Sequence, residues 1–422
     1  MVYMYRVVNT TLFSYIKYTG KTHNNTNKLC MRCVMKRSIF ILFAIMFLVL
    51  SMYSIDRVNV FASGINDDIN AKTYIVIDSN KKILDSKDCD KKREVASICK
   101  LMTTLLTVEK IDRGEIDLSD KMLVSQFAAD AEGSQAFLDA GKEYTVEELL
   151  KSVIIASAND SAIVLAENIG GSERAFVSSM NSRARELGMD STIYANSTGL
   201  PAPEQYSTAY DTALLLMELD KYDIYHKYST VWLDYITHSS GRKTELVNTN
   251  RNIRYYEYCD MGKTGFTDEA GYCLATKNTK GELSIYTVVL GCSNSAARFT
   301  DSMKLSNFVF ANYVSSELVS TGEVLPTTVK VSRGKKDSLE LLAKDSLRLT
   351  RKVGDTSAYD IRYELPAEIE AKITEGDVVG KILVIEDSVV VSEIDIVAAE
   401  TIERETYGDI IGRVIDNFPL VV

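Results

Sequence analysis

An α/β domain of the α+β kind, with an antiparallel sheet flanked by helices, followed by a small all-β domain, is the fold class this 422-residue sequence predicts. Three observations carry it. Between Ala71 and Val314 strand-like runs come first, helices follow, and strand-like runs return ahead of a last helix. Two alternating runs, Tyr272 to Lys277 and Leu283 to Leu290, are separated by Asn278-Thr279-Lys280-Gly281 and read as a β-hairpin. Beyond about Glu323, helical periodicity gives way to short β-branched runs.

Taken in order, residues 1–34 are polar and without periodicity. Met35-Lys36-Arg37 then precedes an unbroken apolar run from Ile39 to Leu50, and Val60-Phe61-Ala62 offers small residues for cleavage. A basic stretch before a short apolar one is the pattern of a secretory signal, too short for a comfortable membrane span. Residues 1–62 are therefore expected to be an N-terminal extension and signal peptide, with translation starting at Met35 and the exported chain beginning near Ser63. An uncleaved N-terminal anchor is the rival reading.

Ala71 to Asp78 alternates and is rich in β-branched residues, so a strand is expected, turning at Ser79-Asn80 into a returning strand from Lys82. A buried helix follows from about Ser97 to Ile111, then a short strand from Leu118 to Val124. Thr145 and Glu148 form a capping box that opens a helix. That helix breaks at Ser157-Ala158-Asn159-Asp160 and resumes to Gly170-Gly171. Polar residues inside so apolar a segment are costly unless partnered, which makes the break informative.

Further helices are expected over Glu173 to Leu187, from a Ser207 cap to Leu219, and from about Thr300 to Val314. The loop from Ala195 to Pro201 is rich in turn residues. Domain boundaries are expected at 63–320, 321–400 for the β-rich part, and 401–422 for a C-terminal amphipathic helix. In that helix Ile402, Tyr407, Ile410, Ile411, Val414 and Phe418 recur at helical spacing. Peripheral membrane contact is one role for such a helix, although its acidic charged face is unlike most basic interfacial anchors.

Composition narrows the function classes. A net charge of −10 and no basic block past the leader argue against nucleic-acid binding. Three histidines, His23, His226 and His238, are not spaced as ligands, which disfavours a metal site and a Ser-His-Asp hydrolase. Of seven cysteines, Cys30 and Cys33 precede the leader. Cys89, Cys99, Cys259, Cys273 and Cys292 are expected to be mainly buried free thiols, with one disulfide as the alternative. Free thiols in an exported chain would suit a reducing or anaerobic setting.

The chemistry rests on Ser97-Ile98-Cys99-Lys100. Residues three apart share a helical face, so the Ser97 hydroxyl and the Lys100 amine can meet. Serine needs a base within reach, and lysine serves if its pKa is depressed. Two further motifs follow in order, Ser157-Ala158-Asn159 and Lys263-Thr264-Gly265.

This ordered set is known from penicillin-recognising serine enzymes. Over about Ala71 to Asn312 the sequence resembles the D-alanyl-D-alanine carboxypeptidases, the low-molecular-mass penicillin-binding proteins. The likeness extends through Gly133-Ser134, Tyr144 to Leu150, Asn159 to Ala162, Leu187-Gly188-Met189 and Lys263 to Thr267. It implies a β-lactamase/transpeptidase-like catalytic fold and an extracytoplasmic enzyme needing no cofactor. Its substrates would be peptidoglycan stem peptides, and β-lactam antibiotics would be covalent inhibitors.

The resemblance also implies residue roles. Ser97 would be the nucleophile, Lys100 its base, and Ser157 a proton relay bonded to Lys100. Asn159 would hold the substrate backbone and help fix Lys100. Lys263 and Thr264 would bind the terminal carboxylate, and Gly265 would let the substrate backbone approach closely. The N–H groups of Ser97 and Phe266 would form the oxyanion hole. Arg298 is a weaker candidate for the carboxylate. Plainer readings stand beside these: a helix cap for Ser157 and Asn159, a turn entering a strand for Lys263-Thr264-Gly265, and a structural or surface arginine.

Rival functions are a class A β-lactamase, a D,D-endopeptidase and a non-catalytic wall scaffold. No Glu-x-x-Leu-Asn pattern for a deacylating water occurs between Asn159 and Lys263, which disfavours the first. Two departures from the family pattern are Val95, where proline is common, and Cys99, where threonine is usual.

Overall fold

The computed structural model describes residues 68–416. The proposed leader, Cys30, Cys33, His23 and Phe418 lie outside the described residues.

The first part of the chain is built in this order. Strands β1 (Thr73–Asp78) and β2 (Ile83–Lys87) precede a 3-10 turn, Ala96–Cys99, and helix α1 (Lys100–Asp112). Then come β3 (Lys121–Leu123), α2 (Gln126–Ala129), β4 (Glu143–Thr145), α3 (Val146–Ile155), α4 (Asn159–Gly170) and α5 (Glu173–Glu186). Helices α6 (Ala209–Leu219) and α7 (Asp223–Ser229) lead to the hairpin β5 (Leu233–Thr237) and β6 (Lys243–Val247). Helix α8 (Asn252–Tyr255) enters β7 (Cys259–Thr267), β8 (Gly271–Lys280) and β9 (Leu283–Cys292), and α9 (Ser295–Asn312) closes the part.

The main sheet has the order β2-β1-β9-β8-β7, with every neighbour antiparallel, so β7 is an edge strand. Both faces of this sheet are covered. Strand alternation sends Tyr74 and Val76 toward Leu305 and Val309 of α9, and Ile75 and Ile77 toward Leu101, Met102 and Leu105 of α1. All six residues of β1 are therefore buried, where the expected alternation would have left one face open. A separate helical core gathers Leu149 and Val153 of α3, Leu165 of α4, and Ile236 and Leu246 of the β5–β6 hairpin.

The capping box is present: Thr145 Oγ1 accepts from the Glu148 N–H while Glu148 accepts from the Thr145 N–H. The break between α3 and α4 falls where expected, with Ser157 at φ 63.

Several expectations shift. Helix α9 starts at Ser295, capped by Asn294, whose Oδ1 accepts from Ala297 N at 2.9 Å. Arg298 is therefore in its first turn rather than ahead of it. The hairpin strands run on to Lys280 and from Leu283, leaving only Gly281-Glu282 as the turn, with Gly281 at φ 59. Thr208, not Ser207, caps α6. The β5–β6 hairpin was not anticipated: its strands are five residues each, too short to stand out by alternation.

The β-rich part comprises β10 (Tyr313–Val319), β11 (Val324–Ser332), β12 (Ser338–Ala343), β13 (Leu347–Lys352), β14 (Asp360–Glu364), β15 (Glu368–Glu370), β16 (Val378–Glu386) and β17 (Val389–Ala398). Six of them form a sheet of order β14-β16-β17-β12-β11-β15, and β10 pairs with β13. Strand β10 thus precedes the expected boundary at residue 320. Leu339, Leu341, Leu347, Ile382, Val384 and Ile396 fill its core. Ile402 belongs to that core as well, in a bridge with Ile373, and not to the terminal helix. Helix α10 (Tyr407–Asp416) begins later and exposes Tyr407, Ile410 and Ile411.

The β1–β2 turn joins the two parts. Asn80 Nδ2 donates to Arg348 O at 2.6 Å and Lys82 Nζ to Thr350 O at 2.7 Å, so the turn grips β13 from the side.

Candidate active site

Ser97 lies on the 3-10 turn that feeds α1, with Ala96 before it at φ 50. Lys100, the first residue of α1, is fully buried, and its Nζ donates to Ser97 Oγ at 3.0 Å and to Thr198 O at 2.6 Å. Burial pushes the Lys100 amine down to about 7, against a weaker upward pull from Cys99 and Asp160. A lysine held near neutrality beside a hydroxyl is equipped to accept its proton.

Ser157 projects from the break between α3 and α4 toward β7. Its Oγ accepts from Lys263 Nζ at 2.7 Å, whereas the resemblance implied a bond to Lys100. Both of the Lys100 contacts are instead spent on Ser97 and Thr198. Lys263 is also buried, and its amine sits well below the ordinary lysine range. Burial is the first cause, the Lys100 charge the second and Arg298 the third. Its remaining bond goes to Thr264 O at 2.9 Å.

Asn159 opens α4. Its N–H donates to Ser134 O at 2.7 Å and its Nδ2 to Glu132 O at 2.5 Å, so it does not fix Lys100 as implied. Its Oδ1 is buried with no partner among the described residues. A buried amide oxygen of this kind is placed to accept a backbone N–H from a substrate.

Along β7, Thr264 Oγ1 donates to Thr249 Oγ1 at 2.7 Å. Gly265 faces the protein itself: a Cβ there would stand 2.5 Å from Val95 O and 3.2 Å from Ile98. Arg298 is buried and donates to Gly265 O at 3.0 Å, with its guanidinium over Tyr272 and Phe299. That arginine props the strand, which is the plainer of its two readings. The Phe266 ring is 46% exposed and stacks on Tyr272 at 4.2 Å.

The three motifs therefore meet: Ser97 with Lys100, and Ser157 with Lys263, with Asn159 beside Ser157. Residues the sequence reading passed over complete the surroundings. Thr198 supplies the carbonyl that holds Lys100, and Asn196 Oδ1 accepts from the N–H groups of Thr198 and Gly199. The turn-rich composition of Ala195 to Pro201 was the available signal. Gly199, at φ +78, passes so close to the Ser97 turn that a Cβ would fall 2.0 Å from Ala96 O. Gly199→Ala is expected to cost about 1–3 kcal/mol and to slow penicillin labelling of Ser97, read by thermal denaturation and a labelling time course. An unchanged Tm and labelling rate would count against this packing.

Cysteine behaviour is clear. Cys89, Cys99, Cys273 and Cys292 are buried free thiols, and Cys259 is a partly buried one.

A double-sided antiparallel sheet with a serine–lysine pair at its edge strand defines a serine acyl-transfer class, and comparison with known proteins narrows it. The sequence model of the D-alanyl-D-alanine carboxypeptidase family matches residues 60–294, and that of the penicillin-binding protein 5 C-terminal domain matches residues 313–404. The D-alanyl-D-alanine carboxypeptidase DacF of Bacillus subtilis is 36% identical over 82% of this chain and 90% of its own length. DacC of Escherichia coli is 30% identical over 82% of this chain and 87% of its own. The crystal structure of penicillin binding protein 5 from Haemophilus influenzae superposes with a TM-score of 0.64 at 27% identity, covering 80% of this chain and 98% of that one. The chain belongs to the D-alanyl-D-alanine carboxypeptidase family.

Proposed function

We propose that this chain is a serine-type carboxypeptidase that removes the terminal D-alanine from peptidoglycan stem pentapeptides, working outside the cytoplasmic membrane. The observation that carries the reading is the fully buried Lys100 amine, lowered to about 7, at 3.0 Å from Ser97 Oγ.

Ser97 Oγ attacks the carbonyl carbon of the penultimate D-alanine while Lys100 Nζ accepts the hydroxyl proton. The backbone N–H groups of Ser97 and Phe266 receive the oxyanion. Ser157 Oγ accepts from Lys263 Nζ, so its own hydrogen passes to the departing amine while Lys263 replaces it; in hydrolysis the water gives its proton to Lys263, and Lys100 returns its proton to Ser97 Oγ. The C–N bond breaks, D-alanine leaves, and a water hydrolyses the Ser97 ester. Lys263 and Thr264 hold the terminal carboxylate, and Asn159 Oδ1 takes a substrate N–H. β-Lactams acylate the same hydroxyl and persist there.

The leader supports export, and the exposed Tyr407, Ile410 and Ile411 of α10 support peripheral membrane contact. Among the described residues no helix is long and apolar enough to cross a membrane.

The test is D-alanine release from an acyl-D-Ala-D-Ala peptide by residues 63–422, beside Ser97→Ala. Release that vanishes in the variant, and in wild type after penicillin, is expected. A stable penicillin adduct without release would redirect the reading to a cross-linked or different peptide substrate. Neither release nor adduct would leave a wall scaffold.

A further inference from the structure

Among the described residues Phe137 is the only aromatic side chain at a positive φ, 58°, and it is 58% exposed. A bulky residue in the left-handed region is strained, and an exposed ring gains nothing from the core. The strain is imposed from both sides. Asp160, fully buried in the first turn of α4, accepts from Ala136 N through Oδ1 and from Leu138 N through Oδ2, each at 3.0 Å. Arg242 donates to Phe137 O at 2.6 Å and to Asp139 at 3.0 Å. The flanking Ala136 and Leu138 are buried, so the loop is anchored at both ends while the ring between them faces solvent.

Glycine would meet every one of these backbone demands without strain. The phenylalanine therefore has no folding rationale, and its place suggests another. The same turn that presents Ser157 and Asn159 carries the Asp160 carboxylate that aims Phe137. Asn159 itself bonds Glu132 O and Ser134 O of the same loop. The loop that carries the ring is thus tied through its backbone to Asn159 and Asp160, next to Ser157.

We propose that Phe137 is a specificity-determining residue, its ring an apolar wall for the aliphatic side chain that precedes the D-Ala-D-Ala pair. Methylenes laid on an exposed aromatic face are removed from water together with it. Strained backbone at a site of this kind is one way that a fold pre-organises contact with substrate. The inference rests on the carboxypeptidase reading.

The experiment compares kcat/KM for two acylated tripeptides ending in D-Ala-D-Ala, one with an ε-blocked lysine before the pair and one with glycine. Wild type is expected to prefer the lysine peptide. In Phe137→Gly that preference falls about tenfold, with the loss in KM, and Tm is no lower than in wild type. Phe137→Tyr, which keeps the ring, restores the preference. An unchanged preference in Phe137→Gly, or a lowered Tm whatever the preference, overturns the inference. Wild type that releases D-alanine from neither peptide overturns the carboxypeptidase reading and this inference with it, whereas an active wild type without the change in preference overturns this inference alone.

Discussion

D-Alanine release is expected to climb with pH through about 7 and to fall by about 10²–10⁴ when Lys100 is replaced by alanine. Only the neutral amine can accept the Ser97 proton. Because burial holds Lys100 near 7 instead of its ordinary 10.5, about half the molecules carry the base form at neutral pH. Below that, kcat/KM for D-alanine release is expected to drop about tenfold per pH unit. A flat profile from about pH 5 to 9 in wild type would remove Lys100 as the base.

The same displacement has a stability consequence of definite sign. Between about 7 and 10.5 the unfolded chain holds a proton on Lys100 that the native chain lacks. The contribution of this group to stability therefore rises with pH across that window, and at and below 7 the native state bears the full penalty. That penalty is on the order of 5 kcal/mol. Leaving the Thr198 carbonyl unpaired costs about 1–3 kcal/mol, so Lys100→Met should be inactive yet melt higher than wild type at pH 6. A lower Tm for that variant would mean that the amine contributes more through its two hydrogen bonds than burial takes away.

Gly265→Ala is expected to be the second severe variant, for a reason that involves no substrate. A methyl at 2.5 Å from Val95 O meets backbone, and backbone on the turn that carries Ser97. Strand β7 is tied to β8 along its length, so relief comes by moving the turn and the strand apart. That separates Ser97 from Lys263 and Ser157 across the cleft. An ångström of misplacement is worth about 10²-fold in rate, and overpacking adds about 1–3 kcal/mol of lost stability. Penicillin acylation at the wild-type rate would show that the edge strand yields without disturbing the site.

Much of this architecture was legible because the signals were local. Thr145 with Glu148, the Gly170-Gly171 stop and the polar break at Ser157 each act within one helical turn, and each stands where its chemistry puts it. The Ser97–Lys100 pair was legible for the same reason. What the sequence concealed was long-range. Ser157 partners Lys263 across 106 positions, and Lys100 finds Thr198 across 98, distances at which no periodicity speaks. Gly265 looked like room for a ligand because a glycine in a strand says that something approaches, not what. Ile402 fitted the helical spacing of the terminal segment, but a bridge to Ile373 draws it into the β-sheet core. Strand β12 is built on leucines with no β-branched residue, and β13 has only Thr350, so neither shows the β-branched pattern expected of this part.

The five unpaired cysteines among the described residues bear on where such a protein can work. Burial lifts Cys89 and Cys273 to about 11 and Cys99 and Cys259 to about 12, and raises Cys292 as well. Oxidants and alkylating agents react with the thiolate, which is scarce at neutral pH for every one of these groups. At the four buried groups, access by an oxidant further requires local opening of the fold. Burial with a raised pKa slows thiol oxidation in the folded chain without help from a reducing environment, most of all at the four buried cysteines.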